Sequence, residues 1–149
     1  MKLLKEIYRI LKQIFYLPRY LINLLFGTFY YDNFLAKSKI KNSGNLPLNK
    51  KVVIFLIFPD CGLAKSHLRT LKYFIRNNFS PLIVSNLPLS KENKNLLLKY
   101  CWTLIERKNY GYDFGGYRDG VLFLSEKIRD LDKLILINDS TWFPITNNN

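Results

Sequence analysis

The sequence predicts an α/β fold, a parallel sheet with flanking helices, preceded by an amphipathic N-terminal helical arm. Three observations predict it. Apolar runs rich in β-branched and aromatic residues recur four times after residue 50, and the segments between them carry apolar residues at helical spacing. The first run, KVVIFLIF at 51–58, is apolar throughout after its lysine, the pattern of a central strand buried on both faces. The first 35 residues instead repeat apolar positions at steps of three and four, with cations between them.

In the arm, Leu3, Leu4, Ile7, Tyr8, Leu11, Ile14 and Phe15 alternate with Lys2, Lys5, Glu6, Arg9, Lys12 and Gln13. Pro18 is expected to end or kink this helix near Leu17, leaving residues 20–31 as a second apolar stretch, so the arm reads as a pair of helices over residues 1–35. A bilayer span needs about 20 apolar residues, and Pro18 and Arg19 interrupt the candidate window. A secretory signal is also disfavoured, because four basic residues are spread through the first twelve positions. The expectation is a basic interfacial arm on the inner face of the cell membrane, in a cytoplasmic, peripheral protein. The alternative is that the apolar face packs on protein. Residues 36–50, with few apolar side chains and Ser, Asn, Gly and Pro, read as a linker.

The globular unit is expected at 51–149. After the first strand, Leu68, Leu71, Phe74 and Ile75 place a helix within 63–77. A second strand at 82–85 follows, then a helix from Ser90 to Tyr100, a third strand at 102–106, a helix over 115–129 and a last strand at 133–137. Alternation of this kind implies right-handed βαβ crossovers, with ligands bound at the carboxyl ends of the strands.

At 149 residues the chain has the length of one modest domain. Its 48% apolar and 23% charged content excludes a disordered or polytopic membrane class. The formal net charge is +12, and residues 1–50 carry nine basic and two acidic residues, which is +7 of it. Nucleic acid is not the expected partner, because the acidic residues gather after residue 105, where a phosphodiester groove would need cations. Cys61 and Cys101 stand apart with no CxxC pair beside a single histidine, which excludes a zinc cluster and fits reduced thiols, Cys101 being core.

Two segments at predicted strand ends carry chemistry. Residues 107–120, RKNYGYDFGGYRDG, hold four glycines in ten residues, two carboxylates, two arginines and three tyrosines. Glycine lets backbone approach a ligand, and Gly115-Gly116 at a helix start would leave amides free for an anion. A loop serving only helix–strand packing is the competing reading. The second segment is Asn138-Asp139-Ser140, a carboxylate at the end of the last strand. A metal-bridged diphosphate would fit there, since Mg²⁺ needs only one or two carboxylates, although a simple turn has the same sequence.

The phrase N-x-G-x-D-F-G-G-Y-x-D-G over 109–120, about twenty residues before a strand ending N-D-S, is similar to the signature of the rhamnan synthesis F family. The resemblance covers about residues 51–144. It implies a partial GT-A (Rossmann-like) domain of a glycosyltransferase, using a nucleotide-activated sugar such as dTDP-rhamnose in rhamnan, O-antigen or related lipopolysaccharide synthesis. It further implies that Asn109, Gly111, Asp113, Gly115 and Gly116 line the donor, that Pro59 to Ser66 faces the phosphates, and that Asp139 binds Mg²⁺ or Mn²⁺. The acceptor would be a glycan or lipid-linked, and the chain is expected to be truncated before the half that carries the catalytic base. The resemblance thus implies a glycosyltransferase or its donor-binding fragment, the alternative being a non-catalytic scaffold module recruited to the membrane by the arm.

Overall fold

The computed structural model describes residues 2–35, 39–141 and 143–144. The chain divides into two compact units, residues 1–38 and 39–149.

The first unit is one helix, α1 (Lys2–Tyr30), followed by a π-helical turn at Tyr31–Leu35. The expected break at Pro18 does not occur: the helix runs through it. Proline removes one backbone donor but its φ is already helical, and no glycine or asparagine flanks Pro18 to offer a turn instead.

The second unit is a five-stranded sheet. Its elements are β1 (Ile40–Ser43), β2 (Lys51–Ile57), α2 (Lys65–Arg76), β3 (Ser80–Ser85), α3 (Lys91–Leu98), β4 (Thr103–Glu106), α4 (Tyr112–Ser125) and β5 (Lys133–Asn138). The strand order is β1-β4-β3-β2-β5. Strands β2 to β5 are parallel, so the expected α/β sheet is present, and β1 adds an antiparallel border against β4.

That border lies inside the segment expected to be a linker. Its polarity hid it, because an edge strand contributes backbone rather than apolar side chains, and three of its four residues are exposed. Polar side chains of the strand and of the residue before it have uses: Lys39 reaches Asp119 at 2.7 Å and Asn42 donates to Glu106 at 3.4 Å. Gly44 permits the turn out of β1, since a Cβ there would stand 2.1 Å from the Cys101 carbonyl oxygen.

Period-two alternation splits the buried strand β2 between two cores. Val53, Phe55 and Ile57 face Leu71 and Phe74 of α2 and Leu97 of α3, with Ile83 and Leu104. Val52, Ile54 and Leu56 face the other way, with Val84, Ile105 and Leu124 of α4. Cys101 is core as expected, and burial pushes its thiol up to about 12. The strand runs β2, β3, β4 step one way and β5 returns to the far side of β2. Right-handed crossovers therefore put α2 and α3 on one face and α4 on the other. This reversal creates a switch point between β2 and β5, where such sheets open a crevice beyond the strand ends.

Candidate functional site

Parallel pairing brings four strand ends to one rim, and the ladders continue one residue past each strand. Asn86 N–H donates to Ile57 O at 3.0 Å, Arg107 N–H to Ser85 O at 2.9 Å, and Asp139 N–H to Leu56 O at 3.0 Å. The rim therefore presents Phe58, Asn86, Arg107 and Asp139 in fixed register.

Asp139 stands at the switch point. Its Oδ2 accepts from the Phe58 N–H at 2.6 Å and faces His67 Nε2 at 3.5 Å. His67 lies in the first turn of α2, which starts after Ala64, a residue with no side-chain acceptor for a cap. The imidazole compensates: Nδ1 accepts from the Ala64 N–H at 3.2 Å, which leaves the proton of the neutral ring on Nε2, toward Asp139. Burial alone would raise the Asp139 carboxyl, but the His67 hydrogen bond and the Phe58 amide outweigh it and hold the group below the usual carboxylate range.

Asp113 reaches the same rim from α4. Its Oδ2 accepts from Asn138 Nδ2 at 2.8 Å, and Asn138 Oδ1 accepts in turn from the Thr141 hydroxyl at 2.7 Å. Tyr117, one turn further along α4, senses both carboxylates: burial, Asp113 and Asp139 together raise its phenol. The two aspartates singled out from sequence thus lie on one edge of the sheet, joined through Asn138.

The glycines have a different role from the one expected. Helix α4 opens at Tyr112, with Gly111 as N-cap in the left-handed region, φ +67°, so Gly115 and Gly116 lie in its second turn rather than at its start. The Gly115 amide is already bonded to Gly111 O at 2.9 Å, and the first-turn donors belong to Tyr112, Asp113 and Phe114. A Cβ on Gly115 would stand 2.2 Å from Tyr110 O, and one on Gly116 would stand 2.3 Å from Leu56 Cδ1. Gly120, one turn beyond, would press on Ile54 at 2.9 Å. Gly116 and Gly120 thus let α4 lie close on β2, while Gly115 leaves room for the Tyr110 carbonyl of the preceding loop. Asn109 lies on the β4–α4 loop, and its Oδ1 is buried without a hydrogen-bond partner. Pro59 to Ser66 does border the rim, as the β2–α2 connection, with Asp60 Oδ1 accepting from the Cys61 N–H at 2.8 Å.

Beneath the rim runs a charged network that sequence reasoning missed. Arg107 Nε donates to Asp119 Oδ2 at 2.7 Å, Arg107 Nη1 to Asn86 Oδ1 at 2.5 Å, and Arg107 Nη2 to the Tyr110 carbonyl. Asp119 also receives Lys39, and its side chain is fully buried. Glu106 is similarly engaged, by Lys94 at 2.6 Å and the Leu89 N–H at 3.0 Å. A buried carboxylate held by two cations is a positioning device for the loop, since leaving any member unpaired is costly. Only the arginine and aspartate of the motif hinted at it, and their spacing of twelve gave no sign of contact.

A divalent ion meets a sparse donor set. Among the described residues no three His, Cys, Asp or Glu side chains cluster for a metal. Asp139 fits as a single carboxylate ligand, provided a diphosphate and water complete the shell, a common arrangement for Mg²⁺.

The fold and rim define a doubly wound α/β unit with its crevice at the strand reversal. Residues 82–148 match the family model described as rhamnan synthesis protein F, so the resemblance seen in the motif is shown over that segment, beginning at β3. The protein named "Uncharacterized protein y4gN" from Sinorhizobium fredii (strain NBRC 101917 / NGR234) is 38% identical over 144 residues, covering 97% of this chain and 37% of that protein. Virulence protein VirA of Vibrio anguillarum (strain ATCC 68554 / 775) is 33% identical over 102 residues, covering 61% of this chain and 31% of that protein. The chain therefore spans about a third of the length of these relatives. No solved structure matches significantly.

Proposed function

We propose that residues 39–149 form the donor-binding part of a GT-A type glycosyltransferase in cell-surface polysaccharide synthesis. Its donor is a nucleotide-activated sugar of the dTDP-rhamnose kind, and its acceptor a glycan or lipid-linked glycan. The observation that carries this reading is the convergence of Asp113 and Asp139 at the β2–β5 switch point, within a segment that matches a rhamnan synthesis family. Open α/β sheets bind ligands at such a point. The amides of Tyr112, Asp113 and Phe114 at the start of a 14-residue helix add a favourable field for a diphosphate. Asp139, held ionised, would hold Mg²⁺ or Mn²⁺ against that diphosphate, the ion neutralising its charge.

Calorimetry with dTDP- and UDP-sugars, with and without Mg²⁺ or Mn²⁺, tests this. Binding by the wild type and a loss of about tenfold or more in Asp113→Asn are expected, the scale of a hydrogen bond to a charged group. No heat with any nucleotide sugar counts against the proposal. The competing reading is a non-catalytic scaffold module, favoured by the packing role of Gly115 and Gly116 and by the internal partners of Asp139. On that reading Asp113→Asn changes nothing but surface charge.

A further inference from the structure

The first unit carries an inference independent of sugar chemistry. Helix α1 is uninterrupted over 29 residues, about 44 Å at 1.5 Å per residue. It carries two stripes, an apolar one from Leu4 to Leu25 and a cationic one confined to residues 5–19. Leu4, Ile7, Leu11 and Ile14 continue through Pro18 to Leu21 and Leu25 at alternating steps of three and four, all six apolar side chains exposed. Lys5, Arg9, Lys12 and Arg19, at steps of four, three and seven, fall within about 80° of one another on a different face. Arg9 pairs with Glu6 at 2.8 Å, and Glu6 is the only acidic residue of the helix.

What covers the apolar stripe follows from its chemistry. Steps of three and four would suit a coiled-coil seam with a second copy, but such a seam needs knobs at every level. Pro18 occupies a central seam position and offers neither a knob nor a backbone donor. The apolar surface is also wider than a seam, since Tyr8 and Phe15, 69% and 80% exposed, flank it. A lipid boundary has no holes to fill and accepts aromatic shoulders at headgroup depth. No helix of the described residues is long and apolar enough to cross a membrane, so the favourable orientation is in the plane. Cations of one sign on the complementary face then meet anionic headgroups.

We propose that α1 lies flat on the inner, anionic face of the cell membrane, with the Leu4 to Leu25 stripe in the acyl boundary and Lys5, Arg9, Lys12 and Arg19 at lipid phosphates. The full chain should sediment with phosphatidylcholine vesicles containing about 30% phosphatidylglycerol, and markedly less with phosphatidylcholine alone or in about 1 M salt. The triple variant Lys5→Glu/Lys12→Glu/Arg19→Glu should lower partitioning at least about tenfold, since each cation near the surface contributes roughly a fivefold factor. Ile7→Ser/Leu11→Ser/Ile14→Ser should remove binding to both vesicle types. The thermal unfolding of the 39–149 unit, followed in each variant, reports that it remains folded. Equal partitioning to neutral and anionic vesicles would overturn the proposal. So would a lipid-free dimer, seen by light scattering, that the serine variant dissolves.

Discussion

The segment 109–120 divides into two parts that look alike in sequence and differ in use. In the first part Tyr110, Tyr112 and Phe114 are exposed, 45%, 74% and 87%, and Asp113 reaches the rim. In the second, Gly115, Gly116 and Gly120 let α4 approach its neighbours, and Asp119 disappears into an ion network with Arg107 and Lys39. One motif thus holds two aspartates six residues apart, Asp113 half-buried at the rim and Asp119 fully buried. A glycine-aspartate motif does not by itself mark ligand contact; the glycines here determine where the helix lies, and that placement brings Asp113 to Asn138, beside Asp139.

This division has measurable consequences, the largest in its buried part. Asp119→Ala leaves Arg107 and Lys39 without their shared carboxylate and should cost about 3–5 kcal/mol in urea unfolding. A cost under about 1 kcal/mol, together with lost donor binding, would reverse the assignment of the two aspartates. Gly115→Ala should cost about 1–3 kcal/mol, because the clash is with backbone and the helix start must shift. Gly116→Ala should cost less, since its clash is with the end of the Leu56 side chain.

At the rim the effects are smaller and depend on pH. The Asp139 carboxyl is lower in the folded chain than in the unfolded one, so it stabilises the fold fully above the unfolded value of about 4. That contribution is lost as pH falls through the folded value. The melting temperature of Asp139→Asn should therefore lie below the wild type at pH 7, and the gap should close at pH values below about 4. A gap independent of pH would mean that His67 and the Phe58 amide do not hold the ionised group. Smallest of all, Asp113→Asn should change stability by no more than about 0.5 kcal/mol.

The parallel sheet was legible because buried strands write themselves as unbroken apolar runs, as in residues 51–58. The rim followed from the topology rule, which placed both Asp113 and Asp139 correctly. Strand β1 was illegible because a border strand needs only its backbone, and its Asn42 and the preceding Lys39 pair with residues more than 60 positions away. His67 escaped for a similar reason. A lone histidine offers no pattern, and only its place in the first turn after the first buried strand would have pointed to the rim. The continuity of α1 through Pro18 was hidden because proline is read as a stop, whereas its fixed φ is helical and a helix can continue through it at the cost of one hydrogen bond.

Tyr112 occupies the left-handed region, φ +50°, directly after the left-handed Gly111. A bulky residue there is held against its own preference by roughly 1–2 kcal/mol. The first turn of α4 is therefore under tension, and unwinding it relieves that torsion. Whatever grips that turn works against a wound spring.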